Sequence, residues 1–339
     1  MHLSGTLLVG PEFEPCEGRL HVADGTIESI ERTTVNSDAI VMPAFVNAHT
    51  HLGDSIAKEA GEGLSLDELV APPDGLKHRL LGQADDETLV AAMARSIQFM
   101  ERAGTAATLE FREGGRDGVA LLDRALAGQA LRAVTFGRGD PSVLDVADGY
   151  GASGAADRDF TAERAAAADA DAPFAIHAGE VDARDIDPAL DLDPDLLVHM
   201  VHATEAHLDR VERESIPVAV CPRSNLATGV GRPPIAALHD RTTVALGTDN
   251  VMLSSPSMFR EMAYAADLSG VPAAEILAMA THNGAQIAGL DGGTITEGAP
   301  ARLIVLDGDS DNLAGVQDVR RAVVRRASVA DVTDVLLPE

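Results

Sequence analysis

The chain has 339 residues, and its apolar fraction of 45% is ordinary for a globular protein large enough to bury a sizeable core. Its 54 acidic and 26 basic side chains give a net charge of -28, which excludes the basic footprint that binding to a nucleic-acid backbone requires. The sequence has no uncharged apolar stretch of about 18 residues, so no membrane span is predicted. The N-terminal segment lacks the basic and apolar regions of a secretory signal.

The acidic composition carries a second signal, because only two of the basic residues are lysines, Lys58 and Lys77. Many carboxylates with few lysines are typical of halophilic proteins that work in molar salt, where the Debye length is about 3 Å. The alternative is that the carboxylates bind cations. The two cysteines, Cys16 and Cys221, lie far apart in the sequence, so we expect reduced thiols and a cytoplasmic location.

In chain order, the sequence begins with short strands and turns in residues 1–42, and a similar strand-rich segment covers residues 293–307. Between them, apolar runs typical of buried strands alternate with helix-like stretches, which indicates βα units around a parallel sheet. The predicted buried strands cover residues 44–49, 105–111, 131–136, 146–151, 173–177, 196–202, 216–221 and 243–249. The predicted helices cover residues 86–103, 117–128, 161–170, 205–214, 258–268 and 272–288.

Eight strands over about 250 residues predict an α/β fold of the (β/α)8 TIM barrel type. We assign residues 43–291 to the barrel, and residues 1–42 and 292–339 to a small β-rich domain. The competing fold is a doubly wound open sheet, but its dinucleotide-binding form has a glycine-rich first turn that this sequence lacks.

Candidate metal ligands stand at the ends of four predicted strands. His49 and His51 end the first, His177 the fifth, His202 the sixth and Asp249 the eighth. The carboxyl ends of barrel strands converge on one face, and imidazole and carboxylate ligands suit zinc or another borderline divalent metal. Because successive strand residues face opposite sides, we expect both His49 and His51 to point at one ion.

The same alternation separates two histidines of the sixth predicted strand. His199 lies three residues before His202 and should therefore face the other side, as a packing residue.

Five motifs together resemble the amidohydrolase superfamily, in the branch that holds adenine-type, cytosine and chlorotriazine aminohydrolases. The motifs are PAFVNAHTH at residues 43–51, HAGE at 177–180, LVHMVHATEAHL at 197–208, CPRSN at 221–225 and LGTDN at 246–250. The resemblance covers most of the chain. It implies that the terminal segments form the family's composite β-sandwich beside the barrel.

The resemblance also implies roles for the site residues. One divalent ion, zinc with Fe2+ or Mn2+ as alternatives, is held by His49, His51, His177 and Asp249. His202 orients the attacking water or serves as a fifth ligand, Asp249 also accepts its proton, and Glu180 protonates a ring nitrogen of the substrate. A binuclear site with a carboxylated lysine after the fourth strand is excluded, because no lysine follows residue 77.

Five further residues are candidate substrate contacts because they follow predicted strands at the same face of the barrel. They are Lys77, Arg112, Glu113, Arg223 and Asn225. The alternative for each is hydrogen bonding within its own loop.

These features predict a metal-dependent aminohydrolase that acts on an amino-substituted nitrogen heterocycle, such as a nucleobase, nucleoside or pterin. One alternative is a cyclic amide hydrolase of the imidazolonepropionase type, which opens a ring and releases no ammonia. The other is a metal-binding relative without catalysis. We expect a small-molecule substrate, no nucleic-acid or membrane partner, and a homodimer as the family suggests.

Overall fold

The computed structural model describes residues 1–70 and 74–338, with the backbone alone at Asp67. The strands are β1 (His2–Val9), β2 (Glu14–Ala23), β3 (Thr26–Arg32), β4 (Ile40–Pro43), β5 (Phe45–His51), β6 (Thr105–Arg112), β7 (Arg132–Gly137), β8 (Gly149–Gly154), β9 (Phe174–Ala178), β10 (Leu196–His199), β11 (Val218–Val220), β12 (Val244–Leu246), β13 (Asp249–Asn250), β14 (Leu303–Leu306) and β15 (Val332–Leu336).

The helices are α1 (Leu66–Val70), α2 (Leu76–Gln83), α3 (Asp86–Arg102), α4 (Gly115–Leu126), α5 (Thr161–Asp169), α6 (Ile186–Leu190), α7 (Glu205–Glu214), α8 (Pro222–Ala227), α9 (Ile235–His239), α10 (Met258–Ser269), α11 (Ala273–Ala280), α12 (His282–Ile287) and α13 (Val319–Arg325). Short 3-10 helices cover Leu52–Ala57, Pro141–Asp145 and Val329–Asp331. Among the described residues, no helix combines the length and the apolar character needed to cross a membrane.

Strands β5 to β13 form a parallel barrel, and from β5 to β12 each strand pairs with the next along the chain. The barrel closes where β13 pairs with β5, with Asp249 opposite Thr50 and Asn250 opposite His51. Inward-facing apolar side chains fill its interior; they include Val46, Ala48, Leu109, Phe111, Val134, Phe136, Ala175, Val198, Ala219 and Ala245. The predicted TIM barrel is confirmed.

The two ends of the chain meet in one six-stranded sheet with the order β15-β14-β4-β1-β2-β3. Alternate residues of its central strands serve different cores, as the two-residue period of a strand requires. On β14, Leu303 and Val305 pack within the small domain, whereas Ile304 and Leu306 pack toward the barrel. The central strands β4 and β14 are therefore buried on both faces and anchor the sheet to the barrel, in agreement with the predicted terminal β-domain.

The connection after β5 covers the carboxyl end of the barrel. Its 3-10 helix Leu52–Ala57 packs against α2, and the apolar side chains of Ala57, Leu69 and Met252 are buried together with Leu76 and Leu80. This small core holds α2 over the barrel mouth, which brings its residues to the site described below.

Several predicted boundaries differ from the structure by a few residues, among them the fourth barrel strand, which covers Gly149–Gly154 instead of 146–151. Two other differences are larger in their consequences. The predicted helix 272–288 is broken at Thr281 into α11 and α12, where the Thr281 hydroxyl donates a hydrogen bond to the carbonyl of Leu277 at 2.7 Å. The sixth barrel strand ends at His199, three residues earlier than predicted. The second difference changes the site.

Candidate active site

The four predicted metal ligands converge at the carboxyl end of the barrel. The ring of His49 lies with its centroid 4.9 Å from those of both His51 and His177. Asp249 Oδ1 is 3.3 Å from His49 Nε2 and 3.6 Å from His51 Nε2. These residues come from β5, β9 and β13, and they meet because the carboxyl ends of parallel barrel strands share one face.

Backbone carbonyls orient two of the imidazoles. His51 Nδ1 is 3.1 Å from the carbonyl oxygen of Phe111, and His177 Nδ1 is 2.8 Å from that of Ala152. Because a carbonyl oxygen only accepts, each Nδ1 donates, and each Nε2 presents a lone pair to the centre of the cluster. Metal-binding histidines are commonly oriented in this way.

The chemistry of the donor set fits a divalent cation. Both ring nitrogens of His49 are buried without a hydrogen-bond partner among the described residues. Burial lowers the pKa of His49 to about 3, and burial is also the main cause of the lowered pKa values of His51 and His177. Neutral imidazoles with unshared lone pairs beside a buried carboxylate are the ligands that such an ion requires.

The end of β10 places His199 in this cluster. Leu196 and Val198 face the barrel interior, so strict alternation would send His199 outward and Met200 inward. Instead, His199 and Met200 adopt left-handed backbone conformations, with φ of 79° and 54°. The turn reverses the alternation: Met200 joins the core outside the barrel, and the His199 ring lies 5.4 Å from that of His177.

His202 lies outside the cluster, which corrects the expectation that it orients water or binds the metal. The strand has ended before His202, and its Nε2 donates to the carbonyl oxygen of Val230 at 2.9 Å, in the loop after α8. The structure thus exchanges the two histidines: His199, expected to be a packing residue, faces the site, and His202 anchors a loop.

Glu180 lies two residues beyond β9 and faces His199. Its Oε2 is 3.5 Å from His199 Nε2, and the two side chains share a group with Asp249 in which the ligand atoms lie within 4.8 Å of one another. Burial raises the pKa of Glu180, although the charge of His199 opposes the shift. For Asp249, burial would raise the pKa, but the close contact with His49 and the other nearby imidazoles hold it well below its usual range.

These groups line one cavity of about 300 Å³, at the small end of the range for small-molecule sites. Its floor includes His51, His177, His199, Glu180 and Asp249. Apolar contacts come from Leu66, Val70 and Val181. Further charged side chains also line the cavity; they are Lys77, Arg138, Asp157, Asp182, Arg184 and Asp185. The cavity therefore combines metal-ligand and titratable groups with an apolar wall, as a site for a small organic substrate does.

Comparison with known proteins agrees with this geometry. The sequence model of the amidohydrolase family matches residues 40–335. The chain belongs to the amidohydrolase family. It is 33% identical to an uncharacterised protein of Methanocaldococcus jannaschii, over 99% of this chain and 98% of that protein. It is 30% identical to a 5-methylthioadenosine/S-adenosylhomocysteine deaminase of Haloquadratum walsbyi, over 90% of this chain and 79% of that protein.

A solved structure shares the fold. A zinc-bound adenosine deaminase from Xanthomonas campestris superimposes with a TM-score of 0.80 at 20% identity, covering 98% of this chain and 90% of that one. This amidohydrolase is a hydrolase that acts on carbon–nitrogen bonds, among deaminase-like relatives. Its His and Asp cluster can hold a divalent metal.

The residues after β11 lie behind the site of this amidohydrolase. The Asn225 amide contacts His199 Nδ1 at 3.1 Å, and the Ser224 hydroxyl donates to Asp249 Oδ2. The guanidinium of Arg223 forms a buried ion pair with Glu261 at 2.5 Å. Arg223 and Asn225 are buried and absent from the cavity wall, which corrects the expectation that they contact substrate. Their other side-chain polar atoms face partners within the protein, whereas Arg223 Nη1 and Asn225 Oδ1 are buried without a partner among the described residues.

The residues after β6 form a charged cluster around Glu113. Its Oε1 is 2.5 Å from Lys77 Nζ, 3.0 Å from His51 Nδ1 and 3.5 Å from Arg138 Nη1. Burial would raise the pKa of Glu113, but Lys77 and His51 hold it well below its usual range. Glu113 therefore supports His51 from behind as an ionised carboxylate, rather than lining the cavity itself.

Arg112 and Lys77 are both candidate substrate contacts in the sequence, but only Lys77 lines the cavity in the structure. Arg112 is buried, donates from Nε to the carbonyl of Gly118 at 2.9 Å, and does not line the cavity, so the expectation of a substrate contact is corrected. Lys77 does line the cavity and donates to Asn250 Oδ1 at 3.2 Å. Arg138, which follows β7, also lines it and was missed, although the strand-end rule applied to β7 would have identified it.

Proposed function

We propose that this amidohydrolase is an aminohydrolase that replaces an exocyclic amino group of a nitrogen heterocycle with oxygen and releases ammonia. The observation that carries the proposal is the pairing of Glu180 with His199 at 3.5 Å, beside Asp249 and within one cavity. The substrate class comprises nucleobases, nucleosides and pterin-like rings. The deaminase name of the Haloquadratum walsbyi relative supports the reaction type.

The metal of the proposed enzyme is one divalent ion, zinc with Fe2+ or Mn2+ as alternatives. His49, His51, His177 and Asp249 would hold it, as the unpartnered nitrogens of His49 and the inward-facing Nε2 atoms indicate. When bound, such an ion supplies a water whose pKa is lowered toward about 7, so that a nucleophile exists near neutral pH.

The protein's own acids and bases then move the protons. Attack on the ring carbon places charge on the neighbouring ring nitrogen, and Glu180, whose pKa burial raises, is a carboxyl group that can protonate that nitrogen. Asp249 is held as a carboxylate, so it can accept the proton of the attacking water and pass it to the departing amino group. We assign to His199 the water-orienting role expected of His202, because its Nε2 points at Glu180.

A substrate screen tests the reaction. Purines, pyrimidines and pterins with an exocyclic amino group are incubated with the metal-loaded enzyme in high salt, and ammonia release is measured. Ammonia from at least one ring supports the proposal. Ring opening of an imidazolone without ammonia would instead establish the cyclic amide hydrolase, and metal binding with no turnover of either class would favour a non-catalytic relative.

The variant Glu180→Gln tests the proton donor. It keeps the shape and a hydrogen-bond donor but cannot transfer a proton, so kcat should fall about a hundredfold to ten-thousandfold while metal content and substrate affinity persist. Glu163→Gln is the matched control, since Glu163 is a buried glutamate on α5 that pairs with Arg158 away from the cavity. Full activity of Glu180→Gln would exclude it as the donor, and loss of metal would make it a ligand.

A further inference from the structure

We propose that the substrate carries a compact anionic group, a carboxylate or a phosphate, which Lys77 and Arg138 bind at one end of the cavity. The inference rests on the proposed function, because the cavity is the same. The inference assigns a negative charge to the substrate, which the type of reaction does not determine.

Lysine is rare in this chain, and one of its two lysines is buried at the site. The net charge is -28 and the sequence holds only Lys58 and Lys77. Lys58 is exposed, whereas Lys77 is buried with its ammonium at the cavity wall. Lysine is among the residues least often buried without a partner, and its burial in so acidic a protein indicates a specific use of its charge.

The charges around Lys77 do not balance. Contacts of 4 Å or less link three cations, Lys77, Arg112 and Arg138, to two carboxylates, Glu113 and Asp54. These contacts leave one positive charge in excess, and two of the three cations, Lys77 and Arg138, line the cavity. An anionic substituent placed there would complete the balance.

Lys77 and Arg138 also have N–H groups that are available to donate hydrogen bonds to a ligand. Arg138 meets Glu113 through Nη1 alone at 3.5 Å, its side chain is 18% exposed, and its guanidinium makes no hydrogen bond to another described residue. Lys77 has three N–H donors, and within residues 1–70 and 74–338 its nitrogen has acceptors within hydrogen-bond distance only on Glu113 and Asn250. A guanidinium fork beside an ammonium suits carboxylate and phosphate oxygens.

The opposite wall would orient such a substrate. It lies on the side of the cavity that follows β8 and β9, where Glu180 stands, and it carries three carboxylates, Asp157, Asp182 and Asp185. Arg184 also lines this side, but its guanidinium pairs with Asp182, so the net charge of this wall remains negative and repels an anion. For a ring at Glu180 and His199, this distribution of charge favours an anionic substituent that extends toward Lys77 and Arg138. The competing interpretation is that Lys77 and Arg138 merely neutralise Glu113 behind His51.

Matched substrate pairs separate the two interpretations. Adenosine 5′-phosphate is compared with adenosine, and pterin-6-carboxylate with pterin, at one fixed salt concentration because salt screens the contact. The first pair tests a phosphate substituent and the second a carboxylate, so together they identify which anionic group the enzyme binds. The wild type should show a higher kcat/KM for the anionic member of at least one pair.

The variants Lys77→Met and Arg138→Met should lower kcat/KM for that anionic member roughly ten- to hundredfold more than for the neutral member, as expected for loss of a charged hydrogen bond. Any loss through Glu113 and His51 should be shared by both members and cancel in this ratio. Lys58→Met is the matched control and should match the wild type with every substrate. Equal losses for both members, or no anion preference in the wild type, would overturn the proposal. If Lys77→Met does not fold, the partly exposed Arg138 still provides the test.

Binding measured by calorimetry keeps this proposal distinct from the proposed function. If none of the four compounds releases ammonia, the dissociation constants of the wild type and the variants are compared. Tighter binding of an anionic member that Arg138→Met abolishes would support the anion site while the deaminase assignment fails. Ammonia release with no difference within either pair would leave the deaminase assignment standing and refute the anion site.

Discussion

The exchange of His199 for His202 gives the sharpest test of the site. The variants His199→Gln and His202→Gln make the same chemical change three residues apart, and the alternation of a regular strand assigns the active-site role to His202. The structure assigns it to His199, whose Nε2 faces Glu180 at 3.5 Å, whereas His202 Nε2 donates to the carbonyl of Val230 at 2.9 Å.

The expected magnitudes differ accordingly. Loss of a residue that orients and polarises the reacting groups lowers the rate by about a hundredfold to ten-thousandfold, or about 3–5 kcal/mol of activation free energy. Loss of the His202 hydrogen bond removes one neutral contact of a half-buried side chain, about 1 kcal/mol of folding free energy, with kcat within a few-fold of wild type.

The assay measures kcat and KM for ammonia release, metal content and the melting temperature of both variants. We expect His199→Gln to fold with a large loss of kcat, and His202→Gln to melt a few degrees lower with nearly normal turnover. The opposite result would be a hundredfold loss of kcat in His202→Gln with an active His199→Gln. It would refute the assignment of His199 to the site and the left-handed turn at the end of β10 on which that assignment depends.

Three further predictions concern the metal, Asp249 and salt. Metal analysis of the purified protein should give close to one equivalent per chain, since the described residues offer one cluster of histidines with Asp249; two tightly held equivalents would contradict a mononuclear site. Asp249→Asn should fold but lose roughly a thousandfold or more in rate, because an amide is a weaker ligand and accepts no proton; retention of a tenth of the activity would rule this out. With a net charge of -28, the melting temperature should rise as salt increases from tenths molar to several molar, and a constant value would remove the argument for halophilic adaptation.

Part of the site follows from the sequence because the barrel geometry is regular. His49, His177 and Asp249 stand at the end of a predicted strand and His51 two residues beyond one, and a TIM barrel brings the carboxyl ends of its strands to one face whatever their separation in sequence. A period of two residues also places His49 and His51 on one side of β5. These relations are local or topological, so the sequence was sufficient for them.

What only the tertiary structure decided depends on where regular geometry stops and on which distant side chains meet. The left-handed turn at His199 and Met200 ends β10 early, and a non-glycine residue in that conformation leaves no signature in a hydrophobic pattern. The burial of Lys77 against Glu113 depends on α2 folding over the barrel mouth, and the pairing of Arg223 with Glu261 joins residues 38 positions apart. Position at a strand end brings a residue to the mouth of the barrel, but the partners available there determine whether its side chain faces the substrate or the protein.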